Sequence, residues 1–82
     1  MGEGGQQRDL VETMRFDPEG GIDDLDTHLD RLRDAAASEG YSFNRHDARN
    51  ELQAATFRRR EPAVLRMMIS PKGSIAIELK SA

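Results

Sequence analysis

The chain has no cysteine and no tryptophan among its 82 residues, only two lysines, and an aromatic share of 5%. Each scarcity excludes something. Without cysteine there is no disulfide framework, no thiolate nucleophile and no sulfur-ligated zinc or iron–sulfur site, so the core must hold by packing alone, which suits the cytosol. Lys72 and Lys80 are the only side chains that could serve as an amine nucleophile. The few aromatics, with no glycine–aromatic motif on a strand, leave no stacking platform for nucleic-acid bases. The longest apolar run, Met67-Met68-Ile69, falls far short of the ~20 residues a bilayer span needs. Met1-Gly2-Glu3-Gly4-Gly5 is not a signal peptide, and Gln6 stands where a myristoylation pattern wants Ser or Thr. The expectation is a cytoplasmic protein with no membrane and no nucleic-acid partner.

What is present is a mildly acidic small domain. Lys+Arg 12 against Asp+Glu 15 gives a net charge of −3, and 37% hydrophobic residues can fill one modest core. Residues 1–8 have no apolar anchor and read as a flexible tail; residues 9–82 read as a single domain. From Asp9 to Phe16 the chain alternates, with Leu10, Met14 and Phe16 on one face and Val11, Thr13 and Arg15 on the other. Glu12 falls on the apolar face and reads either as a paired or mouth-facing carboxylate or as a charge exposed at a strand edge. Asp17-Pro18-Glu19-Gly20-Gly21 is turn chemistry leading to a short strand near Ile22.

Leu25, Leu29, Leu32 and Ala36 make one helical stripe, opened by Asp23, Asp24 and Asp26 where the helix dipole favours negative charge, and stopped by Gly40. Tyr41 can fold back on its last turn. A second helix opens at the N-cap Asn44, with Phe43 stapling against Ala48 and a predicted buried stripe of Ala48, Leu52 and Ala55. Any continuation through Phe57 and Arg58-Arg59-Arg60 ends before Pro62, leaving three arginines as a basic knot at a helix end. Val64 to Ile69, the turn Ser70-Pro71-Lys72-Gly73 and Ser74 to Leu79 form a hairpin. The order ββααββ predicts an α+β domain, an antiparallel sheet with two helices packed on one face.

Several residues invite both an ordinary and a chemical reading. Thr13 and Arg15 share a strand face, where a hydroxyl and a guanidinium fork could meet a carboxylate; equally, Arg15 could pair with an acid on a neighbouring strand. His28, Arg31 and Ala35 line a helix face adjacent to the leucine stripe. Arg31 there could reach a phosphate or a partner, or form a surface ion pair with Asp34 or another acid. His28 with Asp24 or Asp26 is a poor metal set. There is no P-loop, dinucleotide fingerprint, Ser/His/Asp arrangement or zinc spacing.

Taken in order, Leu10-Val11-Glu12-Thr13-Met14-Arg15-Phe16, Leu25-Asp26-Thr27-His28-Leu29-Asp30-Arg31-Leu32 and Gly40-Tyr41-Ser42-Phe43 resemble the start of class IV aminotransferases, the fold-type IV pyridoxal-phosphate enzymes. The likeness runs from about residue 9 to the end and looks strongest for the aminodeoxychorismate lyase branch, which belongs to folate biosynthesis. The resemblance implies that Arg31 binds the phosphate of pyridoxal 5'-phosphate and that Arg15 and Thr13 line the substrate side. It also implies a homodimer and a larger C-terminal catalytic domain bearing the reactive lysine. Neither Lys72, in a hairpin turn, nor Lys80, near a terminus, matches that lysine. The expected function is therefore an N-terminal domain inactive alone, with a free-standing, non-catalytic interaction domain of the same fold as the alternative.

Overall fold

A computed structural model describes residues 8–82; all but Arg8 of the expected tail lies outside them. Six elements follow in the order β1 (Leu10–Asp17), β2 (Gly21–Ile22), α1 (Leu25–Glu39), α2 (Arg45–Thr56), β3 (Ala63–Ile69) and β4 (Ile75–Ser81). The four strands form one antiparallel sheet ordered β2-β1-β3-β4, so the ββααββ arrangement expected from the pattern is the one observed.

Alternation decides which side of the sheet is covered. Met14 and Phe16 of β1, and Ala63, Leu65, Met67 and Ile69 of β3, are buried on one face beneath Leu29, Leu32, Ala48 and Leu52 of the helices. The other face carries Val11, Thr13, Arg15 and Arg66 into solvent, with Arg66 paired to Glu78 across β3 and β4. Helix α1 lies over β1 and α2 over β4. Every fully buried large side chain belongs to this single helix–sheet interface.

The joints are set by local chemistry. Gly40 closes α1 at φ 74° and lets the Tyr41 amide donate to the Ala36 carbonyl at 2.8 Å. The Tyr41 hydroxyl donates to the Arg8 carbonyl at 2.5 Å, fastening the start of the domain to the helix end. Asn44 caps α2 by accepting the Asp47 amide at 2.9 Å, and Phe43 packs against the core that contains Ala48. At α1 the acidic run behaves differently from a side-chain cap. Asp24 takes the N-cap place at φ 53°, in the left-handed region, with no cap hydrogen bond from its side chain.

Two expectations for α2 need correction. Ala55 is exposed, and the third buried position is Thr56, which completes an i, i+4, i+8 stripe with Ala48 and Leu52. Its hydroxyl is satisfied by donating to the Leu52 carbonyl at 3.0 Å, which removes the cost of burying it. The helix also stops at Thr56, so Arg58, Arg59 and Arg60 stand in the turn beyond it rather than in its last turn. Arg59 donates instead to the Glu61 carbonyl and to Ser81 Oγ.

Candidate functional site

Glu12 is the one acid that alternation turns toward the covered side of β1, two residues before the fully buried Met14. Burying a carboxylate there without partners would be costly. Helix α1 supplies them. Because Leu29 and Leu32 anchor the helix on the sheet, the adjacent face bearing His28 and Arg31, one turn apart, comes down beside β1. His28 Nδ1 lies 2.6 Å from Glu12 Oε1, and Arg31 Nη1 donates to the same oxygen at 3.4 Å.

The three side chains differ sharply in exposure. Glu12 and His28 are 17% and 14% exposed, whereas Arg31 is 64% exposed. With the Glu12 carboxylate as acceptor, this hydrogen bond requires the His28 tautomer that carries its proton on Nδ1. Arg31 has five N–H donors and one engaged nitrogen, which leaves most of its planar fork available to an anion approaching from solvent. The cluster is thus a nearly buried acid–imidazole pair carrying an outward-facing guanidinium.

Thr13 and Arg15 lie on the opposite face of the sheet from Arg31. Thr13 borders a cleft of about 140 Å³ with Val64, Arg66, Glu78 and Lys80. Arg15 sits opposite Val64 in register and, among the described residues, forms no ion pair; the cross-strand pair on this face is Arg66 with Glu78. The two faces meet at an edge. β1 pairs with β3 from Leu10 to Phe16, but its other side meets β2 only at Phe16 and Asp17, followed by the Asp23 amide on the Arg15 carbonyl. From Leu10 to Met14 that side of the strand is therefore unpaired by any other strand among the described residues. Arg31 lies on the helix side of this edge, and Thr13 and Arg15 lie on the other side of the sheet.

Other arrangements weighed from the sequence resolve differently. Asp34, offered as a partner for Arg31, is taken by Arg33, and His28 meets Glu12 rather than Asp24 or Asp26. Among the described residues no group of three or more His, Asp or Glu side chains could hold a metal ion. No described helix is long and apolar enough to cross a membrane. A larger open groove of about 530 Å³ runs along Phe57, Arg58, Arg59 and Arg60. Its lining is four consecutive residues beyond the end of α2. Lys72 and Lys80 are both exposed.

Of the two readings the sequence allows for Glu12, the structure selects the paired carboxylate, with His28 and Arg31 as partners that the sequence reading did not name. The signal was available in the helix: His28 and Arg31 occupy the face next to the leucine stripe, and a helix laid along β1 must bring that face to the strand.

The fold is a two-layer α+β domain in which an exposed arginine, hydrogen-bonded to Glu12, stands beside an unpaired strand edge. The chain belongs to the class IV aminotransferase family: the profile described as "Amino-transferase class IV" matches residues 9–80. Among solved structures, the crystal structure of a "Putative amino-acid aminotransferase" from Mesorhizobium loti superposes with a TM-score of 0.84 at 25% sequence identity. The alignment covers 92% of this chain and 36% of that one, so the chain spans about a third of the length of the protein it resembles. No curated protein sequence matches it.

Proposed function

We propose that this chain is the N-terminal part of a pyridoxal-phosphate-dependent class IV enzyme, an aminotransferase or an aminodeoxychorismate lyase working as a homodimer. In this reading Arg31 binds the cofactor phosphate, while Thr13 and Arg15 form part of the substrate wall. The observation that carries it is the Arg31 guanidinium, open to solvent on α1 and hydrogen-bonded to Glu12, and the resemblance of His28-Leu29-Asp30-Arg31-Leu32 to the family's motif supports the phosphate role. A guanidinium fork matches the geometry of a phosphate, so the residues present fit the group. Pyridoxal phosphate, when bound, supplies an electron sink for the chemistry at the substrate carbon.

This chain's own part is binding and orientation. Arg31 meets the phosphate dianion from the helix side of the β1 edge. Thr13 and Arg15 meet the substrate from the opposite side, with Arg15 well suited to a substrate carboxylate. The separation of the two sets onto the two faces of one strand suits a ligand with a phosphate at one end and a reacting carboxylate-bearing molecule at the other. The reactive amine lies outside these 82 residues, since the exposed Lys72 and Lys80 are far from the shielding that activates a lysine nucleophile.

Replacing Arg31 by Ala in the enzyme that joins this segment to the family's larger domain tests the reading. A lost charge-assisted contact of about 1.5–3 kcal/mol corresponds to cofactor affinity weaker by roughly ten- to a hundredfold. Unchanged affinity, read by equilibrium dialysis against pyridoxal 5'-phosphate, would remove the role. The 82-residue chain mixed with the cofactor should show no stable absorbance change that depends on a lysine; one abolished by Lys72→Ala would relocate the chemistry.

A further inference from the structure

The phosphate reading gives Arg31 its role but leaves two nearly buried groups unexplained. Glu12 and His28 are far less exposed than Arg31, and an acid on the core-facing side of a strand serves packing poorly. Both donors converge on one oxygen, Glu12 Oε1, at 2.6 and 3.4 Å. A free arginine on a helix surface samples many rotamers, and holding it in one before a ligand arrives lowers the ordering cost of binding. We propose that Glu12 is a positioning residue: oriented by the His28 Nδ1–H, its carboxylate holds the Arg31 guanidinium at the β1 edge, preorganised for an incoming phosphate group.

This rests on the phosphate reading for its purpose, but not for its mechanics. The hydrogen bond from His28, whose side chain is only 14% exposed, orients Oε1. Oε1 in turn engages one nitrogen of Arg31 and leaves the other donors free. The role opposes simple electrostatics. A carboxylate that merely sat beside a phosphate site would repel the dianion, so removing its charge would strengthen binding. A carboxylate that positions the arginine does the reverse.

The test uses the 82-residue chain labelled with nitrogen-15. The order parameter of the Arg31 Nε–Hε group is compared with that of exposed Arg58 in the same spectrum. Its response to inorganic phosphate is followed in the wild type, Glu12→Ala and Glu12→Gln. The expected result is a restrained Arg31 in the wild type and a Glu12→Ala variant in which Arg31 becomes as mobile as Arg58. That variant should also lose the Nδ1-protonated signature of His28. Phosphate binding should weaken by roughly three- to tenfold in Glu12→Ala, the loss expected when one long side chain must be ordered on binding. Glu12→Gln, which keeps an acceptor oxygen, should fall between. An Arg31 already as mobile as Arg58 in the wild type overturns the proposal without any variant having to fold, as does phosphate binding that tightens in both variants. A restrained Arg31 that ignores phosphate would keep Glu12 in its positioning role, and the phosphate reading would then stand or fall on the Arg31→Ala affinity measured in the joined enzyme.

Discussion

Gly73, at the tip of the β3–β4 turn, adopts φ 92°, and a Cβ placed there would sit 3.0 Å from the Ser42 carbonyl oxygen. The Ser42 amide donates to the Pro71 carbonyl at 3.2 Å, so the turn is pressed against the α1–α2 connection. Gly73→Ala combines left-handed backbone strain with this contact and should cost about 1–2 kcal/mol or more, read as a lower urea midpoint with an unchanged m-value. Leu52→Ala leaves a hole at a fully buried site and should cost about 2–5 kcal/mol, near the whole stability of so small a domain. At this scale the sequence showed part of the site. The face of Glu12 follows from its place in an alternating strand. Its partners lie 16 and 19 residues away on another element, a distance over which local periodicity says nothing.

Elements were more legible than the contacts between them. Strands declared themselves by period two, α1 by its leucine stripe and α2 by its Asn44 cap, because each signal is local. The phase of α2 was misplaced at its end, on Ala55: both Ala55 and Thr56 continue a helical stripe from Leu52, and the helix as it packs over β4 buries Thr56. What fixes that position includes a charge cluster. Arg45 on α2 donates to Asp26 and Asp30 on α1 at 3.1 and 3.2 Å, and Arg49 reaches Asp26 at 3.4 Å. The hydrogen bond to Asp26 leads the interactions that raise the Arg45 pKa above its ordinary value, against an opposing effect of burial. A folded-state pKa raised in this way stabilises the fold at all pH below arginine's ordinary range and is lost only as pH rises through the raised value. Arg45→Met should therefore lower stability by the same amount at pH 6 and pH 9, while added salt narrows the gap between variant and wild type by screening the exposed acids. Asn44→Ala should cost about 1 kcal/mol through loss of the cap, measurable by thermal unfolding.

Across the whole molecule, protection from solvent is uneven. Among the described residues, β3 is hydrogen-bonded on both sides and buries Ala63, Leu65, Met67 and Ile69, whereas β4 has a neighbour on one side only and β2 is two residues long. Native-state hydrogen exchange should be slowest in β3 and measurably faster in β4 and along β2. An equally fast β3 would contradict this layering. The strand order also has a bearing on how the domain is made. Strand β1, which carries Glu12, Thr13 and Arg15, is sewn to β3 with Leu10 opposite Ile69, a pairing that encloses both helices in its loop. The β1–β2 turn, the β3–β4 hairpin and the helix pair can each form from neighbouring residues, but the β1–β3 ladder must wait for the chain to return. During synthesis the first strand made thus waits, with its long side open, until both helices have been laid down.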